Sequence, residues 1–433
     1  MKLSKAKLSA IGLTAALAAF QTTVHAADLF RVNAVTRDDM PQRDVTVGSS
    51  NFTDLVQNVI DAQGKFSVFE NRNSQATLTY AGVKNAMTFE INQNETQAVL
   101  KIPITGFHKE FTGSDRDDLN RQIVDFLKKD GANEYAKFLA AINQRSPVAV
   151  SDGQPTSTTA TIASTTFNDF GSAVGTAPGE VSPKSTAFGL VADVGTFKAG
   201  DFTGHTYTLP LSTQFRLSQR VDLRVDVPLQ YIDVESAYIV QGAVMLHLPI
   251  KLIMPEPVTV GDDKGGGKET TTHFSPLLWM VTPTFGAAVS GSPDMASGGL
   301  ILGEGLTNLL AYDFGKFTLS MGNHISFYQS VPVTINGYEI DPDVDQQILK
   351  NGLRLSVPLG PQWVVEIYGI HTKFLQSAAV DSYFTVGGDL GFRFMHNQNS
   401  SPITDGYLRL GFYSDLGSQY QSGHLQLGAG WKF

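Results

Sequence analysis

From Thr186 to Phe433 apolar and polar residues alternate with a period of two, in one segment after another. "VDLRVDVPLQ" puts Val221, Leu223, Val225, Val227 and Leu229 on one side and Asp222, Arg224, Asp226 and Gln230 on the other. "YIVQGAVMLHLPI" sets Val240, Val244, Leu246, Leu248 and Ile250 against Gln241, His247 and Pro249. A hairpin across Gly360-Pro361 carries Leu353, Leu355, Trp363, Val365 and Ile367 on its apolar side, with Arg354 and Glu366 opposite. Further on, Phe384, Val386, Leu390, Phe392 and Phe394 oppose Thr385, Asp389 and Arg393. Successive side chains of a strand point to opposite faces, so each segment predicts a strand with one apolar face. Twelve such segments lie near 186–196, 205–217, 221–232, 237–252, 278–290, 298–312, 316–330, 347–358, 361–374, 381–396, 405–414 and 423–433. The sixth has an ambiguous phase, and the long connection at 254–276 leaves the count between ten and fourteen.

The chain ahead of them is patterned differently. Residues 28–150 read as a small α/β domain. Asn51 is placed to cap a helix through Phe52, Leu55, Val56, Val59 and Ile60 that stops at Gly64. "NAMTFEI" and "TQAVLKIPI" form a hairpin across "NQNE". A second helix runs from Ser114 and Asp117 through Leu119, Ile123, Phe126 and Leu127 to Gly131, and a third carries Tyr135, Phe138, Leu139 and Ile142. Residues 151–185 turn to Ser, Thr, Gly and Pro, which suits a linker. Its middle, Ala160 to Phe170, could equally form a weakly polar helix that sits inside a pore.

Composition and targeting narrow the setting. Lys2, Lys5 and Lys7 precede a short apolar run and a small-x-small site ending at Ala26, the pattern of a secretory signal peptide over 1–26. Removing those three lysines takes the net charge from -9 to -12, a poor balance for contacts with nucleic-acid phosphates. There is no cysteine, hence no disulfide and no thiolate metal ligand. No apolar run after Ala26 approaches the roughly 20 residues of a membrane-spanning helix.

Soluble sandwiches also alternate, but their strands average about five to six residues. Most segments here run about ten or more, the reach of a tilted strand across a bilayer. In lipid every backbone N–H and C=O must be paired, so a sheet spans only as a closed barrel. The fold class is therefore mainly β: a transmembrane antiparallel β-barrel of about twelve strands over 186–433, preceded by the small α/β domain. Tyr207, Trp279, Trp363, Tyr413 and Trp431 lie near strand ends, where aromatic girdles are expected. The polar faces line the lumen, which should receive Arg216, Arg224, Arg354, Arg393 and Arg409 with Asp193, Asp222, Asp226, Glu366 and Asp389. A single-sign ring would imply ion selectivity. This balanced set implies ion pairs that brace or narrow the interior.

The last strand, "GHLQLGAGWKF", has Leu425, Leu427, Ala429, Trp431 and Phe433 on one face. With the export signal and the strand series, it resembles Gram-negative outer-membrane proteins, and a twelve-strand barrel behind an exported segment resembles the autotransporter β-domain. The resemblance covers 186–433. It implies residence in the outer membrane among its lipids, and partners in the periplasmic chaperones and the barrel-assembly machinery that reads the terminal aromatic strand. It also implies both barrel termini in the periplasm, and the tight turns "LSQR", "DFGK" and "PLGP" after even strands agree. Residues 28–150 depart from the long repetitive passengers of that family, which suits a solitary barrel with an accessory domain, periplasmic or associated with the lumen.

Candidate chemistry is sparse. Outer-membrane lipid hydrolases use a His-x-Ser pair on a strand, and "GNHISFYQS" offers His324 and Ser326, two residues apart and so on one face. Phe317, Leu319, Met321, Ile325 and Phe327 take the apolar side, which turns the pair toward the lumen, away from acyl chains. Asp341, Asp343 and Asp345 are spaced like the first half of a calcium loop, but the required glycine and closing acid are replaced by Gln346 and Gly352. "GDDKGGGKETTT" is only superficially a phosphate loop. No cofactor is expected. The first functional expectation is a non-enzymatic surface, structural or translocating barrel, the second a channel for small solutes, and the third a lipid hydrolase on His324 and Ser326.

Overall fold

A computed structural model describes residues 27–432, apart from 52–53, 56, 59–68, 130, 172–185, 255–256, 261–270, 275, 336–337 and 396–404. The signal segment and most of the "GDDKGGGKETTT" loop lie outside the described residues. Of the helix at 51–64 the described part starts as the sequence indicates, with the Asp54 amide donating to Asn51 Oδ1 at 2.7 Å.

Six strands open the chain: β1 (Phe30–Thr36), β2 (Asp44–Ser49), β3 (Ser74–Tyr80), β4 (Val83–Ile91), β5 (Gln97–Ile102) and β6 (Phe107–Thr112). They form one antiparallel sheet in the order β2-β1-β3-β4-β5-β6. Helix α1 (Arg116–Lys129) buries Leu119 and Phe126 against Ala98, Leu100 and Phe111 of that sheet. Helix α2 (Gly131–Asn143) follows directly. Only the β4–β5 hairpin and the helices are legible in the sequence, because β1 and β3 are seven residues long with Thr, Asn or Gln among their apolar positions, and β6 is the six-residue run FHKEFT with three consecutive polar residues.

A helix α3 (Thr158–Phe167) separates this unit from the barrel. The barrel strands are β7 (Ala187–Ala199), β8 (Phe202–Arg216), β9 (Asp222–Val234), β10 (Ala237–His247), continued by β11 (Ile250–Ile253), then β14 (Leu277–Ser292), β15 (Ser297–Asp313) and β16 (Thr318–Val331). The series ends with β19 (Asp345–Pro358), β20 (Trp363–Phe374), β21 (Ser382–Met395), β22 (Asp405–Gly417) and β23 (Tyr420–Lys432). Two small hairpins, β12 (Pro257–Val260) with β13 (Thr271–Phe274) and β17 (Val333–Ile335) with β18 (Tyr338–Ile340), stand outside the wall. Each barrel strand pairs with the next, β10 pairs with β14, and β23 pairs with β7 from Tyr420↔Ala199 to Lys432↔Ala187. The sheet is thus a closed antiparallel barrel of twelve strands, with the β10–β11 run as one of them.

Closure leaves no free edge, and most outward positions are apolar. Phe285, Ile367, Leu353 and Leu427 are each more than half exposed, as are Val240 and Val289. A monomer in water rarely shows so continuous an apolar surface, whereas a lipid-embedded barrel requires one. Trp279, Trp363 and Trp431 all lie at the barrel end that holds the start of β7 and the end of β23. Phe188 stacks on Trp431 there, and Trp363 packs on Phe392. Tyr413 corrects the girdle expectation: it points into the lumen and stacks on His424 at 4.3 Å. Turn length corrects the orientation argument, since Gly200–Asp201, Glu235–Ser236 and Ser418–Gln419 make turns after odd strands as short as those after even ones.

The N-terminal sheet and α2 cap the end of the barrel opposite its termini. Leu29, Phe30, Tyr80, Val83, Phe138, Leu139, Ile142 and Val148 share one buried core with Phe197, Phe202, Ile232, Val234, Ile239, Met295 and Val380 of the barrel rim. Tyr80 OH donates to the Met295 carbonyl at 2.5 Å, and Tyr135 OH to that of Ala296. Ser146 Oγ donates to the Ala81 carbonyl at 2.8 Å, tying the cap to the segment that enters the barrel.

Candidate functional site

The lumen is occupied by the chain's own residues 148–171. Gly153, at φ +83°, turns the segment inward where an added Cβ would meet the Asn143 carbonyl oxygen at 2.1 Å. Helix α3 follows with the sequence TTATIASTTF, rich in Thr and poor in intrinsic helix propensity. Its environment compensates. The amides of Thr158 and Thr159, which lack helical partners, donate to the carbonyls of Val150 and Ser151. Ala160, Ile162 and Ala163 are buried against inward residues such as Met245, Ala288, Ile301 and Tyr328, and Phe167 against Met280, Leu309 and Ile370.

The lumen charges converge on the far end of this helix. Its last carbonyls carry the negative end of the helix dipole and would be costly to bury unpaired. Arg224 donates to the Gly171 carbonyl at 2.9 Å and to that of Thr166 at 3.4 Å. Arg354 donates to the Asp169 carbonyl at 3.3 Å and lies over the Phe170 ring at 4.9 Å. Arg409 bridges Asp169 at 2.6 Å and Asp389 at 2.8 Å. Further up, Lys350 reaches Ser164 Oγ at 3.1 Å, and Gln346 reaches Asp152 at 2.9 Å. Several wall cations are also paired to the wall: Arg224 and His247 with Asp226, Arg354 with Glu366, and Arg216 and Lys251 with Asp222. Arg393 is half-buried on β21, near the lower end. Phe167 and Phe170 pack at 5.5 Å into room left by Gly322 and Gly352, where an added Cβ would sit 2.8 Å from their rings.

His324 and Ser326 both face this filled lumen but do not act on each other. His324 Nδ1 bonds Thr307 Oγ1 at 2.9 Å and its ring lies against Phe167, while Ser326 Oγ donates to the Ile348 carbonyl. A base and nucleophile need mutual hydrogen-bond reach and an orienting third group. Asp341 is used locally, accepting from Ser330 Oγ at 2.5 Å and from the Asp343 amide at 2.9 Å. Among the described residues no group of three His, Asp or Glu side chains is arranged to hold a metal ion. On β23, Leu425 and Leu427 face outward, Ala429 and Trp431 are half-exposed on that same side, and Phe433 lies outside the described residues.

Space remains beside the helix. A cavity of about 100 Å³ lies between α3 and the wall of β7, β8, β22 and β23, lined by Asn168, Asp169, Asp193, Arg409, Asp415 and His424. His424 Nδ1 bonds Asp193 at 3.0 Å, and Asp415 accepts from Ser422 and Thr385. The alternation places Asp193 and His424 on the lumen face. That they meet across the β23–β7 seam follows only from closure.

In its barrel the chain is similar to autotransporter translocator domains and to outer-membrane channels. The translocator domain of the autotransporter NalP from Neisseria meningitidis matches at 11% identity and a TM-score of 0.38, over 57% of this chain and 89% of that one. The β-domain of the Bordetella autotransporter BrkA matches at 8% identity and 0.37, over 58% and 100%. An outer-membrane channel from Pseudomonas putida F1 matches at 12% and 0.38, over 58% and 96%. No family model and no curated protein matches the sequence.

Proposed function

We propose that this protein is a non-enzymatic outer-membrane barrel that holds its own N-terminal domain at the cell surface through a segment threaded along the lumen. The observation that carries this reading is the path of one chain. The cap sits on the rim opposite the barrel termini, α3 runs down the lumen, and β7 begins at the far end. A barrel inserted from the periplasm keeps its strand termini on that side, which sets the cap outside. The folded cap is far wider than a lumen that one helix fills, so the domain crosses unfolded and docks afterwards. The filled lumen favours anchoring and display over steady solute flow. The channel reading keeps one observation, the cavity of about 100 Å³ beside α3.

The absence of cysteine makes the orientation directly testable. A membrane-impermeant maleimide applied to intact cells should label Glu110→Cys, in the cap, and leave Lys316→Cys, in the turn after β15, unlabelled until the membrane is opened. Labelling in the reverse pattern would put the cap in the periplasm and sink the display reading.

A further inference from the structure

The outward face of the barrel is apolar around most of its circumference, but one wall breaks the rule. Asn308 on β15 is in register with Asn323 on β16, Asn323 with Asn351 on β19, and Asn351 with His371 on β20. All four sit at outward positions, in phase with Leu310, Met321, Leu353 and Ile367. Glu304 is exposed four residues from Asn308 and lies in register with the outward rings of Phe285 and Phe327. Glu304, Asn323 and Asn351 are not rim positions: Glu304 is bracketed by Leu302 and Leu306, Asn323 by Met321 and Ile325, and Asn351 by Leu349 and Leu353. Asn323 donates to Asn351 at 2.7 Å and Trp279 Nε1 to Asn308 at 2.7 Å, which uses only part of their hydrogen-bonding capacity. Polar groups in hydrocarbon are expensive and find partners, and in membranes such groups act as contacts between spanning elements.

We propose that the β15–β20 wall is an interface between two copies of this chain in the membrane plane. The patch is complementary to itself. Carboxamides both donate and accept, so Asn323 and Asn351 can pair with the same residues of a second copy. A two-fold axis along the membrane normal between β16 and β19 brings β15 of one copy opposite β20 of the other and preserves height. Glu304 is nine residues from the lower end of its strand at Asp313, and His371 is eight from the lower end of its strand at Trp363. The acid of each copy therefore meets the imidazole of the other, twice, with the asparagines between them. The wall of β7 and β8, on the far side, presents Val194, Tyr207 and Leu209, and its outward polar row of Thr196, His205 and Asp233 lies close to the upper strand ends, above those apolar residues.

The test uses the full-length, cysteine-free chain in its native membrane and after reconstitution into phospholipid vesicles. Met321→Cys and Leu349→Cys lie beside the proposed axis and leave the polar row intact, and Val194→Cys and Leu209→Cys mark the opposite wall. A short bis-maleimide should convert the first pair to dimers at least ten times more than the second, in both settings. Adding Glu304→Leu and Asn351→Leu to Met321→Cys should abolish that excess while the barrel keeps its unheated gel mobility. Equal cross-linking from both walls, no dimer from either, or a dimer indifferent to the two leucines would overturn the proposal. Adducts to a different protein in cells, with none in vesicles, would overturn it in favour of another membrane partner.

Discussion

Tyr80 and Tyr135 show how much of the cap's docking rests on single groups. Each phenol donates to a rim carbonyl, Met295 and Ala296, from within an apolar cluster. Burial pushes the Tyr135 phenol up to about 12, and raises that of Tyr80 further. Both are therefore neutral donors at ordinary pH. Because the folded values lie above the unfolded value of about 10, the contribution is complete below that pH and is lost as pH rises through about 12. Protease sensitivity of the cap should accordingly rise on the alkaline side and stay flat between pH 5 and 9. Tyr80→Phe leaves the Met295 carbonyl without its donor and should weaken docking by about 1–3 kcal/mol, read as the same sensitivity appearing at lower denaturant concentration. An unchanged profile in Tyr80→Phe would show that the apolar contacts alone hold the cap.

At the scale of elements, α3 is a helix whose sequence would not sustain it alone. Ten residues with five threonines and an isoleucine are too few and too β-branched for an isolated helix in water. The helix exists because the wall supplies partners for its ends, and Arg409 is the most exacting of these. Arg409→Ala would leave the carboxylates of Asp169 and Asp389 buried without their shared cation, a loss of about 3–5 kcal/mol. Thermal unfolding of the refolded protein should fall by several degrees, and Asp389→Asn in the same chain should restore part of it. An Arg409→Ala barrel as stable as the parent would mean that water carries those charges. The strands are the opposite case: each is long, alternating and locally consistent, and their boundaries could be read to within a few residues.

For the whole molecule the decisive property is whether the lumen conducts. A twelve-strand barrel without contents is wide enough for solutes, lying between the filled eight-strand type and the open sixteen-strand porins. With α3, Phe167 and Phe170 in place, the intact chain should give no stepwise current in a planar bilayer. Gly352→Val puts a branched side chain where a Cβ already comes within 2.8 Å of Phe170, so the lower half of the plug must shift. Intermittent steps should appear in that variant. Steady current from the parent would instead revive the channel reading, with the cavity beside Asp193 and His424 as its path.

What the sequence determined by itself was local. A period of two is visible in any strand that has lipid on one side and polar contents on the other, so strand series, barrel class and the lumen side of Arg224, Arg354 and Arg409 could all be read from it. The exceptions lie where the two faces cease to differ. Ile232, Val234 and Ile239 point inward and are apolar because the cap covers them, and Asn323 and Asn351 point outward and are polar. Tyr413 sits near a strand end like a girdle residue yet turns inward to His424. Only tertiary structure could decide what fills the lumen, where the cap docks, and which charges pair across the seam. Those contacts join residues up to 240 positions apart, as Asp169 and Arg409 are, and closing a loop leaves no periodic trace in the chain between.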